Sequence, residues 1–534
     1  MPPLGTRSAR VRAGTSLFFG FFVIAVVLQW RGNAFRSEFS GSEDEPAHYV
    51  TGLMIHDYVA AGFPGNPLAY ARNYYQHYPK VALGHWPPVF YIIQASWMLI
   101  FGPSRISVLL LMASLAALLA LTLSTTVLHE YSLGAGIAVG IFLLSLPSVE
   151  QYSRLVMAEI PLSLLVLLAI IEYGAYLDTE RLQSAALFGL WAVLAILTKG
   201  TGIELAVVPP LALLATRRWR LLRQFSFWLP CLMVIGIAGP WYLWVPGAKH
   251  ESVARFGGIA FMAPRVLGTF EVWTGMLGMT AAILAILGLF VQGRQFLERP
   301  VAGKWLAGAS LLVGAYGFRL AIGAWEDRQL LTTVPILLMF SVRGASWLLS
   351  KPFWQDRARW LQAGAGGTIL AAAIAWNIHQ SPLKRHYGFD ELARSLLSDP
   401  MLKESVFLVC TGANGEGMFI SEVAMREPRP GHYVLRGNRI LADTDLMGYR
   451  YRSLYSDQEA SLRYVESIPV SIVVLDRETP LSLHGRLLSE ALKGHPEKWA
   501  RYFRSEGEVI AYRRIGHRED AVGPARIPTQ LGAH

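Results

Sequence analysis

Long apolar runs alternate with short polar segments over most of the chain. Between residues 15 and 378, runs of about 17 to 25 predominantly apolar residues recur, which is the length that an α-helix needs to cross a bilayer. The polar segments between them are short, apart from an outer loop over residues 31–86. This pattern predicts a polytopic α-helical membrane protein with about 11 to 13 spans.

The pattern changes after residue 378. We therefore divide the chain into a transmembrane domain, residues 1–378, and a small extracytoplasmic α/β domain, residues 379–534. The turn Thr411–Gly417 resembles a phosphate-binding loop, but its glycine spacing and the missing Lys-Ser/Thr favour an ordinary strand-to-helix turn. Three short apolar runs predict buried strands in this domain: 406–410, 433–435 and 471–475.

The composition agrees with a membrane protein. Of 534 residues, 53% are hydrophobic and 16% are charged, whereas soluble domains contain about a quarter charged residues. The net charge of +10 comes from Arg and Lys in short segments between the apolar runs. That distribution is typical of cytoplasmic loops and argues against a nucleic-acid partner. With only two cysteines, a disulfide framework is excluded.

The basic segment 216–223 sets the predicted orientation, because the most basic loop is expected in the cytoplasm. Counting the apolar runs from it puts the N-terminus in the cytoplasm. Glu159, Lys199 and the C-terminal domain then lie on the outer face of the cell inner membrane. The count requires that Pro88–Phe101 enters the interface without crossing. The outer segment 246–270 is expected to be a mobile lid, since it contains adjacent glycines and joins two spans.

The outer loop carries a cluster of acidic residues just after the first apolar run. Charges at a bilayer surface are easily solvated, so a polar cap on a membrane helix is the simplest explanation for such a cluster. A chemical role becomes the better hypothesis because more ionisable residues map to the same face of the membrane. The cluster is Glu43, Asp44 and Glu45, followed by His48 and Tyr49.

These further residues also have ordinary explanations. Glu159 begins a helix, where an acid complements the dipole, Lys199 ends a span and can snorkel, and Arg328 can pair with Glu326. Taken together they suit glycosyl transfer. A carboxylate can accept the proton of a hydroxyl that attacks an anomeric carbon, and cations can stabilise a phosphate leaving group. The candidates are His85, Arg154, Glu159, Lys199 and Arg328.

Five segments, in order along the chain, resemble the motifs of the GT-C glycosyltransferases. The similarity is greatest to the bacterial protein-mannosyltransferase-like group that includes the aminoarabinose lipid A transferases, which is glycosyltransferase family 39-like. It covers roughly residues 15–350. The segments are Asp44-Glu-Pro-Ala-His-Tyr49, His85-Trp-Pro-Pro-Val-Phe-Tyr91, Ser153-Arg-Leu-Val-Met-Ala-Glu159, Leu197-Thr-Lys-Gly200 and Glu326-Asp-Arg328.

The resemblance implies an inverting glycosyltransferase that moves a sugar from a polyprenyl-phosphate donor to an acceptor protein, lipid or glycan. It implies Asp44 as the catalytic base, with Glu45 as the alternative because one extra residue precedes Tyr49. Glu159 is implied as the second acid and Lys199 as a contact of the donor phosphate. The other matched residues are expected to bind substrate: His48, Tyr49, His85, Arg154 and Arg328.

No cofactor is required by these residues, although they are compatible with a divalent metal. A transporter or flippase of a lipid-linked substrate is the main alternative, since transporters also carry intramembrane charges. Against it, the sequence has no duplicated halves or paired broken helices, and its ionisable groups map to one face. A scaffolding protein that displays the C-terminal domain is a third hypothesis. Release of free polyprenyl phosphate from a labelled donor separates the enzyme from both.

Overall fold

The structure is a computed structural model. Residues 246–258 of the predicted lid lie outside the described residues, and the rest of that segment begins a helix. The structure describes residues 7–245, 259–299, 301–322, 326–351, 359–403, 405–443, 451–477, 482–506, 509–516 and 527–528.

The chain forms two compact units. The predicted domain boundary between residues 378 and 379 stays a prediction. The first unit contains residues 1–32, 84–90 and 110–382, and the second contains residues 33–83, 91–109 and 383–534.

Helices account for nearly all regular structure up to residue 380. Short 3₁₀ helices cover Gly200–Val207, Trp219–Arg223 and Asp327–Thr333, and a π-helical turn covers Val234–Ala238. The α-helices are α1 Arg7–Arg31, α2 Glu45–Ala60, α3 Pro67–His77, α4 Val89–Phe101, α5 Arg105–Leu128, α6 Leu133–Ser145, α7 Pro147–Ser153, α8 Glu159–Thr179, α9 Leu182–Ile196, α10 Val208–Thr216, α11 Phe225–Met233, α12 Gly239–Trp244, α13 Ile259–Leu277, α14 Met279–Glu298, α15 Gly303–Ile322, α16 Val334–Leu349 and α17 Arg359–Gln380.

Six helical segments among the described residues are long and apolar enough to cross a membrane, and α6 with α7 adds a seventh if this pair, bent by 70°, counts as one span. This count by length is lower than the 11 to 13 spans predicted, because several apolar helices are short. One of them, α4, has 13 residues and is about 20 Å long, against about 30 Å of hydrocarbon. The six are Val11–Arg31, Arg105–Leu128, Glu159–Thr179, Phe225–Trp244, Met279–Glu298 and Asp327–Leu349.

Glycines allow the helices of the first unit to pack backbone against backbone. Gly288 in α14 faces Gly344 in α16, and a Cβ on either would overlap a main-chain carbonyl oxygen of the other helix. Gly174 in α8 and Gly303 in α15 make a similar close approach. Small residues of this kind are enriched where membrane helices associate, since lipid supplies no hydrophobic drive between them.

The C-terminal part is a small α/β fold, as the sequence predicted. Its five-stranded sheet has the order β2-β1-β5-β7-β6, in which β1 pairs in parallel with β2 and β5, and β7 pairs antiparallel with β5 and β6. The elements are α18 Phe389–Ser398, a 3₁₀ turn at Pro400–Leu402, β1 Val406–Val409, α19 Ala413–Arg426, β2 Tyr433–Arg436, α20 Gly437–Ile440, β3 Ala442–Asp443, β4 Arg452–Ser453, α21 Gln458–Ser467, β5 Val470–Leu475, α22 Leu483–Gly494, β6 Trp499–Arg504 and β7 Ile510–Arg514.

Two carboxylates, the buried Glu38 and the half-buried Asp57, join the outer loop to the C-terminal part within the second unit. Glu38 accepts hydrogen bonds from three consecutive backbone N–H groups at the start of α18, those of Tyr387 (3.0 Å), Gly388 (2.7 Å) and Phe389 (2.8 Å). The Arg429 guanidinium donates to both oxygens of Asp57, at 2.6 and 3.1 Å.

The apolar helices and the C-terminal sheet together confirm the predicted polytopic helical protein with a C-terminal α/β region.

The close contact between α14 and α16 predicts a sharp sensitivity to one methyl group. Gly288→Ala should destabilise the protein by about 1–3 kcal/mol, because the added Cβ meets backbone that cannot move aside. Gly293→Ala on the same helix is the control, since nothing lies within 4 Å of its added Cβ. Thermal unfolding of both variants in detergent measures the difference. Equal unfolding temperatures for the two variants would contradict the proposed contact.

Candidate functional site

The two adjacent carboxylates of the acidic motif have different surroundings. Glu45 is 0% exposed, and its oxygens accept hydrogen bonds from Lys384 Nζ at 3.0 and 3.1 Å and from the Gly41 N–H at 3.0 Å. Asp44 is half-buried. It occupies the N-cap position of α2, yet its side chain caps no backbone N–H of that helix. Glu45 is therefore a structural ion-pair partner here, and Asp44 is the carboxylate more open to a substrate.

Lys80 is a second cation near this motif, close enough to interact electrostatically with Asp44 and Glu43. Burial, followed by repulsion from Arg436, lowers the pKa of the Lys80 amine to about 8, although Glu416, Asp44 and Glu43 act in the opposite direction. Lys80 lies within the outer loop, residues 31–86, and is not among the residues predicted for the site. Because its pKa is lowered, its amine loses its positive charge at mildly alkaline pH.

The turn Thr411–Gly417, which resembles a phosphate-binding loop, contacts other segments of the second unit. The Asn414 side chain donates to the Ser40 carbonyl at 3.1 Å. A Cβ on Gly417 would lie 2.9 Å from atoms of both Pro46 and Lys80. A glycine is thus needed at residue 417, because α19 packs directly on the start of α2. This contact supports the interpretation of a strand-to-helix turn.

His48 and Tyr49 point into the core of the second unit. His48 Nδ1 lies 2.8 Å from the Tyr91 hydroxyl, and the two rings stack. The Tyr49 hydroxyl donates to the Pro103 carbonyl at 2.6 Å, and its ring packs on Phe39. Burial raises the pKa of Tyr49, so its hydroxyl stays neutral.

In the first unit, two of the predicted residues form an ion pair. Glu159 is the first residue of α8, and Lys199 lies three residues beyond the end of α9 at Ile196, just before the 3₁₀ helix Gly200–Val207. Because these helices run in opposite directions, both residues lie at the same end of the helix pair. Lys199 Nζ donates to Glu159 Oε1 at 2.6 Å, with the carboxylate buried and the ammonium partly exposed.

Arg328 lies near this pair. Its guanidinium forms an ion pair with Glu326, and its backbone N–H donates to Asp327 Oδ1 at 2.8 Å. The Tyr152 hydroxyl also donates to Asp327 Oδ1, at 3.4 Å, and it is close enough to interact electrostatically with Glu159 and Arg328. The structure therefore brings Glu159, Lys199 and Arg328 into one polar neighbourhood, in which Tyr152 was not anticipated.

Arg154 is enclosed by protein rather than open to a ligand. It is 2% exposed and donates to the carbonyl oxygens of Glu150 (3.3 Å) and Pro382 (2.7 Å). Its guanidinium also packs against Gly32, where a Cβ would clash with it. Sequence analysis missed Glu150, although its position four residues before Arg154 is the spacing of an ion pair on a helix.

His85 is the remaining predicted residue of the first unit. It is partly exposed, and its ring meets the Trp86 ring edge-on at 5.1 Å. The Val89 N–H donates to the Leu197 carbonyl at 2.9 Å, which connects the end of this motif to the end of α9, next to Lys199.

Three residues of the second unit have the ligand types of a metal site: Glu38, His386 and Asp390 offer ligand atoms within 4.8 Å of one another. However, the Glu38 carboxylate already accepts three backbone hydrogen bonds. The His386 imidazole lies between the two acids, with Nδ1 3.3 Å from Glu38 and Nε2 3.5 Å from Asp390. This donor set fits a divalent metal in type.

The lowered pKa of Lys80 predicts an unusual chemical reactivity. Competitive acylation at several pH values, followed by mass spectrometry, should give half-maximal reactivity of Lys80 near pH 8 rather than near the ordinary 10.5. Removing a neighbouring negative charge in Glu43→Gln should lower that midpoint further. A midpoint near 10.5 in the wild-type protein would show that Lys80 is not desolvated.

Comparison with known proteins shows likeness in structure but not in sequence. No protein-family model matches the chain, and no curated protein matches its sequence. The crystal structure of ArnT from Cupriavidus metallidurans bound to undecaprenyl phosphate is 13% identical, with a TM-score of 0.57, and the match covers 94% of this chain and 98% of that one. The apo form of that protein gives 14% identity and a TM-score of 0.59.

A second group of similar structures is archaeal. The oligosaccharyltransferase from Archaeoglobus fulgidus in complex with Zn and sulfate is 13% identical, with a TM-score of 0.53, over 93% of this chain and 73% of that one. AglB from the same organism, in complex with an inhibitory peptide and a dolichol-phosphate, gives 12% identity and a TM-score of 0.51 over 95% and 75%. The chain therefore has the GT-C fold that these proteins share.

Proposed function

We propose that the protein is an inverting glycosyltransferase that uses a polyprenyl-phosphate sugar as donor. The observation that carries the proposal is the likeness over nearly the whole chain to two GT-C proteins whose structures contain undecaprenyl phosphate and dolichol-phosphate. The fold alone does not specify chemistry. The distribution of carboxylates and cations among the matched motifs adds support from residues of this chain.

Asp44 is the proposed catalytic base. In the reaction, the acceptor hydroxyl attacks the anomeric carbon, its proton passes to the Asp44 carboxylate, and the new C–O bond forms with inversion. The bond between the anomeric carbon and the phosphate oxygen breaks, and the phosphate leaves with the electron pair. Asp44 suits this role better than Glu45, because the Glu45 carboxylate is occupied by Lys384 and the Gly41 N–H.

Lys199 and Arg328 are the proposed contacts of the leaving phosphate. Both are partly exposed cations: Lys199 pairs with the buried Glu159, and Arg328 pairs with Glu326. Charge-assisted hydrogen bonds to a developing phosphate oxyanion lower the barrier to its departure. Glu159, the proposed second acid, orients Lys199 through their ion pair. No step in this scheme is assigned to a metal.

The other matched residues keep weaker assignments. His85 is partly exposed and stays a predicted substrate contact. For His48, Tyr49 and Arg154, the enclosed hydrogen bonds support a role in positioning neighbouring segments rather than direct contact with substrate. The acceptor is a protein, a lipid or a glycan on the outer face of the inner membrane.

Substitution of Asp44 tests the chemistry. Asp44→Asn keeps the shape of the side chain but weakens proton acceptance, so turnover should fall by roughly 10²–10⁴-fold, as is typical of general-base loss, with donor binding largely retained. Release of free polyprenyl phosphate from a labelled polyprenyl-phosphate sugar is the readout. Glu43→Gln, one residue away and exposed, is the matched control and should be nearly unchanged.

Unlike Asp44→Asn, Lys199→Ala should weaken donor binding as well as turnover.

Near-normal turnover of a correctly inserted Asp44→Asn variant would remove Asp44 from the mechanism. No released polyprenyl phosphate from the wild-type protein with any acceptor fraction would favour the transporter alternative.

The proposed orientation has its own test, at the two ends of α9. In a variant without the native cysteines, Thr201→Cys should react with a membrane-impermeant maleimide in cells with a permeable outer layer. Gln183→Cys should react only after the inner membrane is opened. The reverse labelling pattern would invert the topology and move the Glu159–Lys199 pair to the cytoplasm.

A further inference from the structure

A cavity of about 330 Å³ opens at the end of the first unit that is opposite the Glu159–Lys199 pair. It lies where the turn between α5 and α6, the C-terminal part of α14, the start of α15 and the C-terminal part of α16 meet. Along the helical segment Asp327–Leu349, Arg343 of the cavity is roughly 20–25 Å from Arg328. The lining residues are Glu130, Tyr131, Gln292, Gln295, Arg299, Val301, Ala302, Trp305 and Arg343.

The lining of this cavity carries an uncompensated positive charge. Glu130, its one carboxylate, is already paired with Lys304 Nζ at 2.8 Å. Arg343 is half-buried; its Nε donates to Gln292 Oε1 at 3.2 Å, and its guanidinium also hydrogen-bonds to the Tyr131 hydroxyl, so both of these partners are neutral. Within the part of the chain that the structure describes, neither Arg343 nor Arg299 has a carboxylate at ion-pair distance. Arginines near membrane helices without such a partner favour an anionic ligand.

The donors around the cavity suit a phosphate group. A guanidinium presents several N–H groups in a planar fork that matches phosphate oxygens. Gln292 is 7% exposed, and together with Gln295 it adds amide donors beside the two arginines. A cavity of this volume holds a phosphate together with a small polar headgroup, but not an acyl chain.

The depth of the cavity points to lipid as the source of that phosphate. Arg343 lies six residues before the end of α16 at Leu349, and Gln292 six residues before the end of α14 at Glu298, so each is about 9 Å below its helix terminus. Trp305 is buried on the cavity wall, and Tyr131 lies beside it. Trp and Tyr concentrate at the headgroup level of membrane proteins, and basic pockets between helix ends are typical sites for anionic headgroups.

We propose that this cavity binds the phosphate of an anionic phospholipid headgroup, through Arg343 and Arg299, on the membrane face opposite the proposed donor site. The site does not depend on glycosyl transfer. Bound lipid would neutralise the two arginines and bridge the ends of α14, α15 and α16.

Native mass spectrometry of the full-length, delipidated protein tests the proposal. The protein is incubated with defined phosphatidylglycerol or phosphatidylcholine, and the fraction that retains one lipid is measured. The wild-type protein should retain phosphatidylglycerol in preference to phosphatidylcholine. Arg343→Gln should reduce that retention by about tenfold, which corresponds to about 1.4 kcal/mol. Arg299→Gln should reduce it as well, and since Arg299 is exposed, this variant keeps the test valid if Arg343→Gln fails to fold.

Arg294→Gln is the matched control. Arg294 lies on the same helix end, is exposed, pairs with Glu298 at 3.4 Å and does not line the cavity. Equal loss of lipid in Arg294→Gln and Arg299→Gln would overturn the site in favour of diffuse surface attraction. Equal retention of both lipids by the wild-type protein would also overturn it. Displacement of the lipid by millimolar inorganic phosphate, with phosphate itself retained, would reject the lipid as the ligand and identify a soluble phosphate site.

Discussion

Carboxylates of the outer loop that are hydrogen-bonded to the C-terminal part determine the arrangement of the second unit. Glu38 accepts three backbone N–H groups of the C-terminal part, Glu45 is held by Lys384, and Asp57 is held by Arg429. Removing one partner of a buried ion pair typically costs about 3–5 kcal/mol. The geometry of the acidic motif therefore depends on residues that follow it by more than 300 positions, and this gives the C-terminal α/β region a structural purpose.

The same constraint separates the roles of two neighbouring acids. Glu45 is buried, and its carboxylate is held by the Lys384 ammonium and the Gly41 N–H. Asp44 is one residue earlier, at the N-cap of α2, where it stays half-buried beside Lys80, whose amine has a lowered pKa. A buried structural acid next to a half-buried one makes the run of three acids compatible with the single base proposed here.

In the first unit, the close packing and the antiparallel direction of the helices bring the polar residues together. Glycine contacts such as Gly288 with Gly344 bring helices together without side chains between them. Because α8 begins where α9 ends, Glu159 and Lys199 meet although 40 residues separate them. The other helix ends gather Arg343 and Arg299 around the cavity, so one bundle presents a polar cluster at each end.

The sequence by itself determined the fold class and the order of the motifs. Apolar runs of spanning length specify membrane helices wherever they occur, because an unsatisfied backbone cannot exist in lipid, and the short β-branched runs near residues 406 and 471 specified the buried strands. Local patterns could not assign partners, since an ion pair is decided by which side chains the fold brings within a few ångströms. Only the tertiary structure distinguished Glu45 from Asp44, enclosed Arg154 behind Glu150 and Gly32, and joined Glu159 to Lys199.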